Sequence, residues 1–420
     1  MKLVVTGSII CLVYGIFIGL LRLQKCKRFI KEDKKLEKSI EDYNDIVLVI
    51  PVYNEQNVIQ ESFLYFKKFM NLGIKVIYVA TKKEEDKITT YMLLEELVKE
   101  YKVEKYCELL LYPYKEGVMA HQLNYALKHI DKNKIVVIYN VDSKPNINAI
   151  NYILQNKDKL DSGVFQQYSY SKYVNKENYI RNAKMWQNRW ALAYELPRAI
   201  KGKFQIINKF NYVIGHGLAI RRSMFDRIGF FPENEINEDN AFGYIMSEKR
   251  IQINPIPYLE EVGFASDLSV LIRQQSVWFN GPLYAFRYFR ELCKKVNRGS
   301  RFRLLWVACQ NFKNALNWIV FPYVVVISFI YLLMSKALIL ANSLLFLTIV
   351  YVNLINKIAE NILIANGYIK IKNKQTLLFL INEVVFWLFI HSFGPLITLF
   401  KILLGVNTQK NKYKTEKCKM

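Results

Sequence analysis

What most constrains this chain is where its apolar residues fall. An uncharged run from Leu3 to Leu21 (LVVTGSIICLVYGIFIGLL) opens it and a long polar block follows. Apolar runs at Leu316 to Met334, Ala337 to Ile355 and Thr376 to Val406 come after the block. About 20 apolar residues cross the hydrocarbon core as a helix, so the first run reads as a membrane helix. It lacks the A-x-A site of a cleaved secretory signal, which favours a retained anchor. The last run is too long for one comfortable span and carries Gly394-Pro395, where a helix breaks. It reads as one tilted helix or as two short segments meeting at that break. A chain patterned this way holds a folded block at the membrane, with helices before and after it.

Charge orients the arrangement. Arg22, Lys25, Lys27, Arg28, Lys31, Lys34, Lys35 and Lys38 follow the first run, against Glu32, Asp33 and Glu37. The positive-inside rule places this flank, and the polar block, in the cytoplasm. Lys410, Lys412, Lys414, Lys417 and Lys419 make the tail basic as well. Three single spans after the block would leave that tail outside, so the broken last run decides the topology. The expected divisions are a transmembrane helix at 1–22, a basic juxtamembrane linker at 23–44, a cytoplasmic folded domain at 45–300, interfacial and transmembrane helices at 301–409, and a basic cytoplasmic tail at 410–420. The expected location is the cell (plasma) membrane, in a multi-pass arrangement.

The net charge of +23 over 420 residues invites a nucleic-acid reading. Much of it is juxtamembrane, however, where it meets anionic membrane lipids, and nucleic acid is set aside as a partner. The six cysteines (Cys11, Cys26, Cys107, Cys293, Cys309, Cys418) show neither metal spacing nor a disulfide framework. Cys11 and Cys309, in or near apolar segments, read as packing residues, in keeping with a reducing cytosolic face.

Within the block, DIVLVIPVYNE is a β-branched strand ending at Pro51, then a polar loop leading to a helix. Strand KVIYVAT (Lys75 to Thr81) and a helix around Lys87 to Tyr101 repeat the unit. A third strand, Glu108 to Tyr112, leads into YKEGVMAHQLNYALKHI, and KIVVIYNVDSKP supplies a fourth. Alternating strands and helices specify an α/β fold, a mostly parallel sheet with helices on both faces, joined to transmembrane α-helices.

Open α/β sheets bind ligands beyond the carboxyl ends of their strands. Asp142 projects there. A Mg2+ or Mn2+ ion on a diphosphate needs hard oxygen ligands but few from protein, and Asp142 suits that role. A turn aspartate capping the strand exit is the simpler alternative. Further on, Gly215 and Gly217 flank His216 and let backbone approach a ligand closely. His216 reads equally as a hydrogen-bonded structural residue or an acceptor contact. Glu238-Asp239 opens a helix. Asp239 is either an acid favoured by the helix dipole or a general base facing the same crevice, with Glu238 the next candidate. Last comes RQQSVWFNGPL (Arg273 to Leu283), with Gln274, Gln275, Trp278 and a Gly281-Pro282 turn shortly before the chain turns apolar.

Taken together and in order, PVYNE (Pro51 to Glu55), NVDSKP (Asn140 to Pro145), GHG (Gly215 to Gly217), NED (Asn237 to Asp239) and QQSVW (Gln274 to Trp278) resemble the family 2 processive-type glycosyltransferases. These are similar to the bacterial cellulose, hyaluronan and poly-N-acetylglucosamine synthases, and the resemblance covers about Ile46 to Leu283. It implies a GT-A type nucleotide-sugar-binding domain, a divalent metal (Mg2+ or Mn2+) and inversion at the anomeric carbon. Pro51, Tyr53, Glu55, Asn140 and Asp142 would then meet the nucleotide-sugar, with Asp142 matching the metal-binding second acid of DxD. Asp239 matches the catalytic base of the TED motif. Gln274 and Trp278 match the first Gln and the Trp of QxxRW. With Gln275, Gly215, His216 and Gly217 they fall at the acceptor and donor-diphosphate end. A tryptophan face suits a sugar ring, and glutamine amides hydrogen-bond hydroxyls or phosphate.

The departures are specific. Asn140 replaces the first acid of DxD, Asn237 the Thr of TED, and Val277 the Arg of QxxRW, a cation that Arg273 or Lys115 would have to supply. ATKKEED stands where the family carries the acidic base-binding DDGS.

The expected function is therefore a membrane-bound, inverting hexosyl- or N-acetylhexosaminyl-transferase. It would move a sugar from a nucleotide-sugar, a UDP-sugar first, to a growing polysaccharide or a lipid-linked saccharide. The alternatives are a single-transfer glycolipid-forming enzyme and a non-catalytic glycosyltransferase-like scaffold. The C-terminal helices read as an export channel or an anchoring platform, with room for export or assembly partners. A transporter is disfavoured because no ionisable residue is expected to be buried in an obviously paired arrangement within the last helices, although Glu360, Glu383 and His391 lie close to or within them.

Overall fold

The residues Ile46, Leu48 and Ile50 pack into one apolar cluster and Val47 and Val49 into another. Because neighbouring strand residues point to opposite faces, a continuous apolar run such as IVLVI buries both sides of its sheet. In this computed structural model the described residues are 1–32, 40, 42–173, 179–200, 213–235, 237–294, 296–370, 376–406 and 408. The basic tail 410–420 lies outside them.

The strands are β1 (Ile46–Pro51), β2 (Lys75–Thr81), β3 (Cys107–Tyr112), β4 (Ile135–Ile138), β5 (Ser143–Lys144), β6 (Gly163–Gln166), β7 (Ser169–Tyr170), β8 (Leu218–Arg221), β9 (Gln252–Pro255) and β10 (Glu260–Val262). A 7-stranded sheet runs β3-β2-β1-β4-β8-β6-β9, and a 3-stranded sheet runs β5-β10-β7. In the larger sheet β3-β2, β2-β1, β1-β4 and β6-β9 pair parallel. Only β8 runs against its neighbours β4 and β6. The sheet is mostly parallel, as the alternating pattern specifies.

After α1 (Lys2–Glu32), the helices of the block are α2 (Ile59–Met70), α3 (Thr90–Tyr101), α4 (Met119–Lys128), α5 (Ile147–Gln155), α6 (Tyr179–Trp190), α7 (Leu196–Ala199), α8 (Arg222–Ile228), α9 (Glu238–Lys249), α10 (Leu268–Leu283) and α11 (Ala285–Cys293). The apolar stripes of α2, α3 and α5 cover one face of the sheet, and those of α4, α8 and α9 the other. Local chemistry sets the starts. The Thr89 hydroxyl accepts the Met92 N–H at the head of α3, and the Asp267 carboxylate accepts the N–H groups of Ser269 and Val270 at the head of α10.

Among the described residues, four helical stretches are long and apolar enough to cross a membrane: Lys2–Lys31, Arg298–Met334, Leu338–Ala365 and Leu377–Leu403. The first continues as helix through residues that the sequence assigns to a linker. The second is α12 (Arg298–Met334), whose polar first half packs on α9, α10 and α11 before the apolar half begins. The third joins α13 (Leu338–Ile349) to α14 (Ile355–Ala365) through a π-helical turn at Val350–Leu354.

The fourth resolves the question of the long last run. It is two helices, α15 (Leu377–Leu388) and α16 (Phe393–Leu403), with a 3-10 turn at Ile390–Ser392. The break therefore precedes Gly394-Pro395. Pro395 falls in the first turn of α16, where a missing N–H leaves no helical bond unmade. α15 packs on α6 and α16 on α10, so both halves lie against the block. One buried acid of the C-terminal helices, Glu360 of α14, has a cationic partner, against the reading of the sequence. Asn356 Nδ2 donates to buried Glu383 (2.9 Å), and Lys357 Nζ lies 2.9 Å from Glu360.

Candidate active site

Beyond the carboxyl ends of β1 and β4 lies one cavity of about 1410 Å³ that continues between the candidate membrane-spanning helices. Of the residues expected at a site, Pro51, Tyr53, Glu55, Asn140, Asp142, Gly215, His216, Glu238, Asp239, Gln274, Gln275 and Trp278 all line it. Gly217 does not. The fold thus gathers motifs far apart in sequence onto one wall.

The loop after β1 is held by a residue that sequence reasoning missed. Glu84 is buried; its Oε1 accepts the Asn54 N–H and its Oε2 the Thr90 N–H, both at 2.6 Å. The Thr90 hydroxyl in turn accepts the Glu55 N–H at 2.9 Å. Asn54 stands at φ 52, a left-handed conformation that these bonds hold in place. So the unusual ATKKEED segment supplies the staple for PVYNE. Lys83 lies with Nζ 5.3 Å from the Tyr53 ring centroid, at the same end of the cavity as Lys115. Lys115 lines the cavity; Arg273 is exposed and does not. Of the cations considered as substitutes for the absent arginine, only Lys115 is placed to serve.

Asp142 is 3% exposed. Its carboxylate lies against Gly263, where a Cβ would stand 2.8 Å from Oδ2. This bare backbone leaves a small cradle beside a hard oxygen donor, next to the amide of Asn140. No group of three or more His, Cys, Asp or Glu gathers among the described residues. The donor set therefore fits a cation that takes most of its ligands from phosphate and water, and does not fit a cage of protein ligands.

The GHG turn is built by backbone. Gly217 has φ +66, and a Cβ there would fall 2.6 Å from the Gln167 carbonyl oxygen. Its N–H donates to Ile138 (2.7 Å) and its carbonyl accepts from Gln167 (2.7 Å), tying β4 to the strand exit at β6. Gly217 ties this junction from a position off the cavity wall. His216 Nδ1 lies 3.1 Å from Oε2 of Glu260, a fully buried carboxylate whose Oε1 has no hydrogen-bond partner. His216 therefore lines the cavity while Glu260 anchors its ring from behind. Glu260 gives no sequence signal beyond an acid inside a short strand.

Asp239, half-buried at the start of α9, accepts the Gly215 N–H at Oδ2 (3.1 Å) and the Asn240 N–H at Oδ1 (2.7 Å). Two backbone donors thus hold this carboxylate in place at the start of the helix. Glu238 is more deeply buried, at 3% exposure. Asn237 donates through Nδ2 to the Val277 carbonyl (3.0 Å), which docks this helix start on α10.

RQQSVWFNGPL is helix throughout, and Gly281-Pro282 occupies the last turn of α10 where a separate turn was expected. Trp278 is 38% exposed. The Oε1 atoms of Gln274 and Gln275 are buried without hydrogen-bond partners, so these amides hold unused acceptor capacity at the cavity wall. A further unforeseen residue is Glu195, in a π-helical turn (Ala191–Glu195) between α6 and α7. Burial pushes its carboxyl up to about 7, with Asp239 adding to the rise and the Trp190 Nε1 donor (3.0 Å) and His216 opposing it. π-turns are frequent where helices are bent to serve a site.

Two comparisons by sequence are negative: no family model matches this chain, and no curated protein matches it. By structure, the chain is similar to the mannosyltransferase PcManGT from Pyrobaculum calidifontis in complex with GDP-Man and Mn2+. The TM-score is 0.52 at 15% identity, over 92% of this chain and 99% of that one. Weaker likeness is found to residues 1–349 of S. aureus TarS, at TM-score 0.42 and 13% identity, over 77% of this chain and 89% of that one. The chain shares its overall fold with this mannosyltransferase.

Proposed function

We propose that this chain is a membrane-bound, inverting glycosyltransferase of family 2 with a GT-A type catalytic domain. Residues 45–300 form that domain on the cytoplasmic side of the plasma membrane. Residues 1–22 and 301–409 anchor it, with 23–44 and 410–420 as basic cytoplasmic flanks. The observation that carries the reading is that Asp142, Asp239 and Trp278, from three distant motifs, line one cavity at the strand ends. The shared fold with a mannosyltransferase solved with a nucleotide-sugar supports it.

In this reading the loop of Pro51, Tyr53 and Glu55 receives the nucleotide of a UDP-sugar or related donor. Asp142, helped by Asn140, would hold Mg2+ or Mn2+, which when bound neutralises charge on the leaving diphosphate. Asp239 takes the proton of the acceptor hydroxyl. The acceptor oxygen bonds to the anomeric carbon while the bond from that carbon to the diphosphate breaks, its electron pair leaving with the nucleoside diphosphate. Attack from the face opposite the leaving group inverts the centre. Gly215, His216, Gln274, Gln275 and Trp278 position the acceptor, a growing polysaccharide or a lipid-linked saccharide. Single transfer to a lipid uses the same residues, and the extension of the cavity between membrane helices favours an acceptor that reaches the bilayer.

The test is nucleotide release by purified full-length protein, with and without Mn2+, from UDP-glucose, UDP-N-acetylglucosamine and GDP-mannose. Turnover of one donor that falls in Asp239→Asn is expected. Binding of a donor without turnover under any acceptor would instead identify a non-catalytic scaffold.

A further inference from the structure

Below the candidate active site the cavity is lined by cations from three helices: Arg22 and Lys25 of α1, Arg198 of α7 and Lys313 of α12. The sequence assigns Arg22 and Lys25 to a flank that meets lipid headgroups, yet both turn inward. Lys25 Nζ donates to the carbonyls of Ile200 (2.6 Å) and Pro197 (3.2 Å), which fixes α1 against α7. The Arg22 and Arg198 guanidiniums lie 5.7 Å and 4.7 Å from the Tyr194 ring centroid. Arg198 acts electrostatically on both Arg22 and Lys313. Among the described residues neither Arg22 nor Lys313 has a carboxylate within ion-pair distance. Like charges held together in this way cost free energy unless an anion joins them.

The groove around this cluster is graded. Cys11, Tyr14 and Ile18 line the cavity at the helical spacing that also carries Arg22 and Lys25, so one face of α1 runs from apolar to cationic. The adjoining face is closed by Gly15 and Gly19, where a Cβ would meet Tyr351 at 2.7 Å and Ile355 at 3.0 Å. On α12, Lys313, Asn317 and Phe321 give the same gradation. At the other end the cluster meets the active site: Tyr194 and Glu195 line the same cavity as His216 and Asp239. A neutral sugar chain has no use for this charge, and a free anion has no use for the apolar end.

We propose that Arg22, Lys25, Arg198 and Lys313 form a subsite for the phosphate of a lipid phosphate ester, with its chain lying along α1 and α12. This rests on the transferase reading above and assigns the acceptor to a membrane lipid carrying phosphate. The lipid enters from the bilayer between α1 and α12, and its head is delivered towards Asp239.

The experiment measures binding of radiolabelled farnesyl phosphate to the full-length protein in detergent, alongside nucleotide-sugar binding. Unlabelled farnesyl phosphate should displace the label, whereas farnesol and inorganic phosphate at equal concentration should not. Arg22→Gln combined with Lys313→Gln should weaken binding by about tenfold or more, as expected when charge-assisted contacts are lost. Lys313→Met, of similar length and suited to a membrane helix, is the second variant should the pair fail to fold. Displacement by farnesol would reduce the site to an apolar groove, and displacement by inorganic phosphate would make it a free-anion site. Either result, or full affinity in the folded variants, overturns the proposal. Farnesyl phosphate binding without nucleotide-sugar binding would leave this subsite standing and remove the transferase reading. Donor turnover without lipid phosphate binding would do the reverse.

Discussion

Gly263 leaves Oδ2 of Asp142 the space that any side chain would take, since a Cβ there would stand 2.8 Å from it. The contact joins the end of β10 to the exit of β4 and constrains the candidate metal-binding carboxylate. Gly263→Ala is expected to displace that carboxylate and weaken donor binding in the presence of Mn2+ by about tenfold, a typical overpacking effect of ~1–3 kcal/mol. Asp142→Ala should abolish the metal-dependent part of donor binding altogether. Titrations with and without Mn2+ check both, and equal donor affinity in all of them would remove Asp142 from the metal role.

Asp239→Asn keeps the size of the side chain and can no longer take a proton. A general base contributes typically ~10²–10⁴-fold, so transfer should fall by at least about two orders of magnitude while donor affinity holds. If transfer survives, Asp239 is a helix-start acid whose bonds to Gly215 and Asn240 are its whole purpose. Glu238→Gln is then the next variant to assay.

Trp278, at the cavity wall and 38% exposed, is expected to serve the acceptor. Trp278→Ala should raise the acceptor KM by about tenfold, in line with ~1–3 kcal/mol for stacking on an aromatic ring, and leave the unfolding temperature in detergent nearly unchanged. A lowered unfolding temperature with normal specific activity of the folded fraction would mark it as a membrane-boundary anchor.

Glu195 sets a pH dependence of stability. Folding raises its pKa from 4.5 to about 7, burial being the main cause. A raised pKa means that the protonated form carries the stability. The contribution is full below about 4.5 and is lost as pH rises through about 7, each tenfold gain in proton affinity being worth about 1.4 kcal/mol. Glu195→Gln should flatten the stability profile over that window and raise the unfolding temperature at pH 8. An unchanged profile would show that water reaches this carboxylate.

The last apolar run makes a topological prediction. Thr408 Oγ1 donates to Asn280 Oδ1 at 2.9 Å, so the chain leaves α16 beside the α/β block. Reporter fusions after Asp45 and after Lys410 should therefore give the same, cytoplasmic, signal. A signal from opposite sides would mean that α15 and α16 together cross the membrane.

The α/β class, the mostly parallel sheet and the strand-end placement of Asp142 were legible in the sequence because they follow from local pattern. Strand and helix periods differ, a continuous β-branched run buries both faces of its strand, and the apolar runs mark helices long enough to cross a membrane. The candidate site residues were legible through short motifs, each carrying its own chemistry. What the tertiary structure alone decided are relationships between segments far apart in the chain. Glu84 reaches Asn54, Glu260 reaches His216, Gly263 makes room for Asp142, and Arg22 turns inward to join Arg198 and Lys313. The break before Gly394 belongs with these. A Cβ there would stand 2.6 Å from the Ile272 carbonyl oxygen, so α16 can lie on α10 only where the side chain is absent. Periodicity along one segment reports which face is buried. It carries no information about which distant residue meets that face, because packing and charge pairing are set by the three-dimensional path of the whole chain.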